Sequence, residues 1–334
     1  MTILVTGASG YIGSHMCAAL LENDYDIVGL DNFSNSSPQV VDVVKDLYHK
    51  KFEFHEGDIL DKYFLESIFG KYDIECVIHF AALKSVEQSI NNPDIYYKNN
   101  VNGTLNLIES MLKHGVKNII FSSSATVYGN PQYLPIDESH NVEPINPYGR
   151  TKVYIEQILK DLSKSDINLS VTCLRYFNPV GSHPSNLLGE LPIETPSNLM
   201  PYITMVANGK LNHLNIFGDD YNTPDGTGIR DYIHIMDLVE GHISALKYNL
   251  EHRKNFDIFN LGTGRGYSVK EVVETYEKVS SKKINIKIKE RRKGDVAECY
   301  AKVEKANDSL GWDAKRSLED MCRSAWEFSV TNEQ

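Results

Sequence analysis

Thr2-Ile3-Leu4-Val5-Thr6-Gly7-Ala8-Ser9-Gly10-Tyr11-Ile12-Gly13 opens the chain directly after Met1. Five aliphatic or β-branched residues read as a strand. They run into glycines at 7, 10 and 13, and the residues after Gly10 read as the start of a helix. The glycines act by what they lack. Gly7 permits a tight turn, Gly10 lets backbone approach a pyrophosphate, Gly13 lets the helix pack closely, and the amides at the helix start face the anion. The spacing is GxxGxxG and not GxGxxG, so the dinucleotide fingerprint is met in logic and not letter for letter. Taken alone, such a loop is equally an ordinary turn.

The residues further along favour the dinucleotide. A second strand, 26–30, ends in Asp31-Asn32, where a carboxylate accepts hydrogen bonds from an adenosine ribose and repels a 2′-phosphate, which favours NAD over NADP. Asp58 follows a third strand at 52–54, and Phe80-Ala81-Ala82 closes a fourth at 76–80. Both places are carboxyl ends of strands, where ligands lie in open α/β sheets. Further strands read at 118–123, 169–175 and 256–262, with helical spacing between them. Val101, Leu105, Ile108 and Leu112 predict a helix over 99–112, and another reads over 236–248. Strands without a polar face, alternating with helices, imply a Rossmann-type doubly wound parallel sheet.

The alternation fails after Arg175, in a Pro-, Asn- and Gly-rich stretch from Asn178 to about residue 197. The expected organisation is therefore α/β with two parts. Residues 1–178 and 231–262 form the NAD-binding domain, and 179–230 with 263–334 form a smaller, discontinuous α/β substrate domain. The chain has 334 residues, 41% hydrophobic and 24% charged, with formal charge −11. That is long enough for one large core and a smaller one, and too acidic for a nucleic-acid footprint. Five scattered cysteines without a CxxC pair suggest reduced thiols in the cytoplasm, with no metal site. No apolar run is long enough for a leader or membrane span, so neither membrane nor processing is expected.

Tyr148 and Lys152 stand four positions apart at a predicted helix start, so both project from one face. A phenol with a pKa of about 10 is a poor base at neutral pH, but an adjacent ammonium and a cationic nicotinamide favour its phenolate. Alone, YxxxK is as well explained by a surface tyrosine and a helix-stabilising lysine. Ser122-Ser123-Ser124, at the end of the preceding strand, offer hydroxyls at the same sheet edge, although a serine run there is otherwise a cap.

With the glycine loop, Ser124, Tyr148 and Lys152 in this order, the chain resembles the extended short-chain dehydrogenase/reductase family over nearly its whole length. GYIGSH at 10–15, SSSATVYG at 122–129, YFNPVG at 176–181, NLMPYI at 198–203 and DGTGIRDYIHIMDL at 225–238 resemble its UDP-glucose 4-epimerase branch. Sugar-nucleotide 4,6-dehydratases of this family carry an Asp-Glu pair where this chain has Ala125-Thr126, so elimination of water lacks its acid and base.

The resemblance implies interconversion of UDP-galactose and UDP-glucose through a 4-keto sugar, with tightly bound NAD. Ser124, Tyr148 and Lys152 would be catalytic. The cofactor would be held by Gly7, Gly10, Tyr11, Ile12, Gly13, Asp31, Asn32, Phe33, Ser34, Asn35, Ser36, Asp58, Ile59, Phe80, Ala81, Ala82, Lys84, Asn99, Ser122, Tyr148, Lys152 and Phe177. Lys84, Ser124, Tyr148, Asn178, Asn198, Leu199, Phe217, Arg230, Arg292, Asp295 and Cys299 would meet the UDP-sugar. Cys299 stands where some members have a tyrosine that limits room at the sugar 2-position. The smaller residue either admits UDP-GlcNAc and UDP-GalNAc or is a buried thiol without a role in selection. The family also implies a homodimer through helices at about 93–114 and 147–164. Competing readings are a uronic-acid epimerase, decarboxylase or 4-reductase, and a non-catalytic sugar-nucleotide sensor.

Overall fold

The computed structural model describes residues 1–165, 169–191, 196, 198–252, 256–292 and 294–332. Part of the 178–197 stretch therefore lies outside the described residues. Seven strands form one parallel sheet: β1 Thr2–Thr6, β2 Asp26–Asp31, β3 Phe52–Glu56, β4 Ile74–His79, β5 Asn118–Ser124, β6 Ser170–Tyr176 and β7 Phe256–Leu261. Their order is β7-β6-β5-β4-β1-β2-β3. The order reverses between β1 and β4, so the carboxyl ends of these two strands open the crevice in which α/β sheets bind ligands. In register, Thr6 of β1 lies between Leu30 of β2 and His79 of β4.

Both faces of the sheet are covered, which is why its strands carry no polar stripe. Ile3 and Val5 pack into one layer with Met16 and Leu20 of the Tyr11–Glu22 helix and with Leu238 and Val239. Leu4, between them, packs into the opposite layer with Leu107, Ile108, Ile155 and Leu159. Period-two side-chain direction divides one strand between two cores.

At Phe177 the chain leaves β6 and enters a second, smaller assembly. Ile229–His234 is its axis, pairing in parallel with Asn178–Val180 and Glu298–Cys299 and antiparallel with Gly266–Ser268. Leu214–Phe217 and Ile286–Lys289 form a separate parallel pair. The helices Leu199–Ala207, Val269–Ser280 and Leu318–Thr331 bury Ile203, Val272, Tyr276 and Met321 beneath these strands. The last two helices start with Ser-Glu and Ser-Asp capping boxes at Ser268/Glu271 and Ser317/Asp320, which satisfy amide groups that a helix start leaves free. Among the described residues no helix is long and apolar enough to cross a membrane.

The helix expected over 99–112 is divided. Tyr97–Asn102 forms a π-helical turn, and a regular α-helix continues as Gly103–Lys113. Asn100 is the physical reason. It is fully buried, its side-chain oxygen accepts from Leu83 N at 2.9 Å, and its amide donates to Leu83 O at 3.0 Å and Thr151 Oγ1 at 3.1 Å. Holding that side chain between two other segments widens the turn locally. Gly103 then fits against Ile59, whose Cδ1 would lie 2.5 Å from an added Cβ. Leu105, which the periodicity groups with the apolar stripe, is 41% exposed on the outer face.

Candidate active site

The glycine loop joins β1 to the Tyr11–Glu22 helix. Gly7 has φ +71° and its hypothetical Cβ would come within 2.8 Å of Ala81 N, while a Cβ on Gly13 would lie 1.9 Å from Gly7 O. Turn and helix are thus packed so closely that neither position tolerates a side chain. Gly10 is the helix N-cap. No side chain caps this helix and no acidic residue occupies its first turn. A positive helix end with unclaimed amides suits a pyrophosphate, which is the fit an NAD-type dinucleotide requires.

Asp31, at the end of β2, is buried and already structured by the protein. Its Oδ2 accepts from Ser9 N at 3.1 Å, and Oδ1 accepts from Phe33 N at 2.9 Å and Ser36 Oγ at 3.0 Å. These bonds fold Phe33 to Ser36 into a loop beside the glycines, with Phe33 at φ +55° and stacked on Phe54 at 5.4 Å. Ser34 N–H donates to Asn32 Oδ1 at 3.0 Å, and Ser34 and Asn35 are exposed at the loop's tip. Asn32 Nδ2 donates to Asp58 Oδ2 at 2.9 Å. Two residues 26 apart, both expected at the cofactor, are therefore in direct contact. Asn99 lies in the π-helical turn and donates to Asn100 Oδ1 at 2.9 Å.

The hydroxyl site lies at the end of β5. Ser124 Oγ accepts from Thr126 N at 3.2 Å and from Thr126 Oγ1 at 2.9 Å. Lys152 is buried in the second turn of the Pro147–Ser165 helix and donates to Ser122 O at 2.7 Å; its ammonium lies 5.8 Å from the Tyr148 ring centroid. Burial pushes the Tyr148 phenol up to about 12, against the lowering influence of the Ser124 hydroxyl, and pulls Lys152 down to about 7, against attraction from Glu156. In the protein alone burial dominates at both groups, so the phenolate expected from an adjacent ammonium and a cationic nicotinamide together draws on both charges. A second positive charge at the site is needed to shift the balance.

The residues expected at the UDP-sugar form three groups. Arg230 and Cys299 are register partners, and Arg230 Nη2 lies 3.9 Å from Asp295 Oδ1. Arg292 places its guanidinium 3.9 Å from the centroid of Phe217. Lys84 Nζ lies 3.4 Å from Glu190 Oε1, which also accepts from Asn198 Nδ2 at 3.1 Å. Leu199 follows at the start of its helix, and Asn178 is exposed at the first position of its strand. Arg291, by contrast, pairs with Asp220 at 2.7 Å and lies over Tyr221 at 4.2 Å; Lys293 lies outside the described residues. Cys299 packs beside Phe177, Tyr128 and Ile136, and burial raises its thiol to about 11.

Sequence reading missed three residues here. Thr126 appears there only as a residue unable to act as acid or base, and it orients Ser124. Glu190 bridges Lys84 and Asn198 from a loop without periodicity. Asp231 follows Arg230 and accepts from Thr263 N (2.8 Å), Thr263 Oγ1 (2.7 Å), Gly264 N (3.0 Å) and Ala301 N (3.1 Å). One buried carboxylate thus fixes Arg230's strand to the segments on either side. A carboxylate adjacent to a predicted phosphate-binding arginine is the only local signal for it.

A family model described as GDP-mannose 4,6 dehydratase matches residues 4–325. The UDP-glucose 4-epimerase of Bacillus subtilis (strain 168) is 52% identical over 332 residues, covering 99% of this chain and 98% of the relative. The chain belongs to the UDP-glucose 4-epimerase family. Among solved structures, the UDP-glucose 4-epimerase of Stenotrophomonas maltophila with bound NAD and formylated UDP-arabinopyranose superposes with TM-score 0.97 at 43% identity, covering 99% of this chain and 98% of that one. The UDP-glucose 4-epimerase of Bifidobacterium longum in complex with NAD+ and UDP gives TM-score 0.96 at 46% identity, with 99% of both chains covered. Directly after Ser124 this chain has Ala125-Thr126 and no acidic residue.

Proposed function

We propose that this chain is an NAD-dependent UDP-sugar 4-epimerase that interconverts UDP-galactose and UDP-glucose through a 4-keto sugar. The observation that carries the reading is the hydroxyl pair at the end of β5. Ser124 Oγ accepts two hydrogen bonds from Thr126, so its own hydrogen is free for an oxygen between it and Tyr148. That arrangement serves proton transfer at one sugar hydroxyl, and Ala125-Thr126 put no carboxyl group directly after Ser124.

Tyr148 takes the proton from the 4-hydroxyl, and Ser124 donates to the same oxygen. Bound NAD supplies the electron sink, taking hydride from C4 and returning it to the other face, with no net redox change. Gly7, Gly10, Tyr11, Ile12 and Gly13 receive its pyrophosphate, and Asp31 and Asn32 lead the loop Phe33 to Ser36 at its adenosine. Asp58, Ile59, Phe80, Ala81, Ala82, Asn99, Ser122 and Phe177 complete the pocket. Lys152, held on Ser122 O, supplies positive charge beside the phenol. Between the two half-reactions the sugar turns about its diphosphate, while Arg230 and Arg292 hold the phosphates. Phe217, Asn198, Leu199, Asn178 and Asp295 hold the uridine and sugar. Lys84, paired with Glu190, reaches the same cleft.

The seven-stranded sheet supports a division into an NAD domain of 1–178 with 231–262 and a substrate domain of 179–230 with 263–334, except at the boundary strands Asn178–Val180 and Ile229–His234, which pair within the smaller sheet. Cys299, half-buried and register-paired with Arg230, is smaller than a tyrosine at that place, which supports UDP-GlcNAc and UDP-GalNAc as additional substrates. Val86, Ile90, Ile95, Leu105 and Tyr154 are exposed on and beside the helices of 93–114 and 147–164, which supports a homodimer through this face. Light scattering on purified protein tests it, and a monomer would exclude it. Five free cysteines suit a cytoplasmic enzyme, which cell fractionation checks. The activity itself is tested by incubating purified protein with UDP-galactose and following UDP-glucose. A sensor gives no product, and a reductase consumes stoichiometric NADH.

A further inference from the structure

Tyr148, Lys152 and Glu156 recur every four residues along the Pro147–Ser165 helix, and each meets one residue of the serine run ending β5. The Ser124 hydroxyl acts on the Tyr148 phenol and opposes its rise, Lys152 donates to Ser122 O at 2.7 Å, and Glu156 Oε1 accepts from Ser123 Oγ at 2.5 Å. The first two contacts belong to the chemistry already described. The third does not.

Glu156 is held from a second side. Arg175 of β6, the register partner of Ser123, donates Nε to Oε1 at 3.0 Å and Nη2 to Oε2 at 2.6 Å. Its guanidinium lies 4.8 Å from the centroid of Tyr128, whose hydroxyl donates to Asn260 Oδ1 at 2.6 Å. Glu156 and Arg175 are 6% and 2% exposed. A pair buried this deeply gains little over an apolar replacement of the same shape, so stability alone does not explain it. What an apolar replacement could not provide is a fixed negative charge one helical turn from Lys152.

We propose that Glu156, clamped by Ser123 and Arg175, is a positioning residue for the reaction: it sets the register of Tyr148 and Lys152 against Ser122–Ser124 and keeps Lys152 in its ammonium form. The groups facing Lys152 agree with this. The Ser122 carbonyl and the Phe121 ring, 4.9 Å from the ammonium, come from β5. His79 on β4 is neutral at the working pH, because burial and Lys152 itself lower it to about 3. Tyr148 and Glu156 come from the helix. Of these, Glu156 alone is an anion, and its attraction opposes the burial that lowers Lys152.

The inference rests on reading Tyr148 and Lys152 as catalytic, and the experiment separates the two. Steady-state kcat and KM on UDP-galactose are measured from about pH 6 to about pH 9 for the wild-type holoenzyme, Glu156→Gln, Glu156→Asp and Ser123→Ala. Without wild-type epimerase activity, the underlying reading fails. Given that activity, Glu156→Gln is expected to shift the alkaline limb of kcat down by about one pH unit, with kcat lowered roughly tenfold at pH 8 and partly recovered at pH 6. KM should stay within about twofold. Glu156→Asp, which keeps the charge, should restore the position of that limb at reduced kcat. Ser123→Ala should lower kcat at every pH without moving it. A Glu156→Gln enzyme with the wild-type profile, or one reduced equally at all pH, overturns the proposal. If Glu156→Gln does not fold, a displaced limb in Glu156→Asp overturns it instead.

Discussion

Thr126 gives both its backbone N–H and its hydroxyl to one oxygen, Ser124 Oγ, at 3.2 and 2.9 Å. With its lone pairs so engaged, Ser124 acts as a donor towards the reacting oxygen. Thr126→Val removes one of the two donors at nearly constant volume. The expected result is a kcat lower by about three- to tenfold with KM little changed, and recovery in Thr126→Ser, measured by steady-state epimerisation of UDP-galactose. Equal kcat in Thr126→Val and wild type would remove Thr126 from the account.

Arg292 lies over Phe217 at 3.9 Å, a stack that fixes a planar guanidinium in one orientation. Arg292→Lys keeps the charge and loses the fork. It should raise the Kd for UDP, read by calorimetry, by about tenfold, and Arg292→Ala by about a hundredfold. Phe217→Ala should cost less than either. Unchanged UDP affinity in Arg292→Ala would place the phosphates elsewhere.

The gate reading of Cys299 is checked by turnover of UDP-GalNAc and UDP-galactose side by side. Cys299→Tyr should lower the ratio of acetylated to plain turnover by at least about tenfold, through KM or kcat of the acetylated substrate alone. Burial of this half-exposed thiol beside Phe177 and Tyr128 offers the other outcome. An unchanged ratio would make Cys299 a packing residue.

The parts of the molecule that could be read from sequence are those with local periodicity or a backbone constraint. β1 runs Thr2–Thr6 as expected, and the remaining sheet strands differ from their expected bounds by one or two residues, β4 and β6 at both ends and the others at one. Gly7 and Gly13 fulfil the roles the loop assigns them, because the constraint on each is local. Asn100 was not visible, since the π-helical turn it shapes depends on Leu83 and Thr151, 17 and 51 residues away. Arg175 and Glu156, 19 residues apart on different elements, carry no joint pattern in sequence. Glu190 lies in a stretch without a period, and only the fold brings it to Lys84. Leu105 shows the opposite failure, an apolar period that includes a residue facing outward.

Acid stability follows from four buried histidines. Burial lowers His15 and His242 to about 4 and His79 and His234 to about 3. In the unfolded chain each takes up a proton near pH 6.5, so each contributes stability that is full above that pH and is lost as pH falls towards 4, on the order of 2 kcal/mol apiece. Asp231, raised to about 6 by burial, and Glu138 and Asp237, also raised by burial, act in the opposite sense, since their folding penalties fade as pH falls. The four large histidine shifts outweigh these three carboxyl groups. Urea unfolding should therefore show stability falling from pH 7 to pH 4.5, and equal stability at both would contradict the neutral buried imidazoles.

The central claim, epimerisation at C4 through Tyr148, is tested by one measurement: conversion of UDP-galactose to UDP-glucose by purified protein with no added reductant, for wild type and Tyr148→Phe. The wild type is expected to reach the same equilibrium mixture from either sugar with no net NADH formed, and Tyr148→Phe to turn over at least about a thousandfold more slowly. Retention of most activity in Tyr148→Phe, or a wild-type reaction that consumes NADH in step with product, would contradict the account.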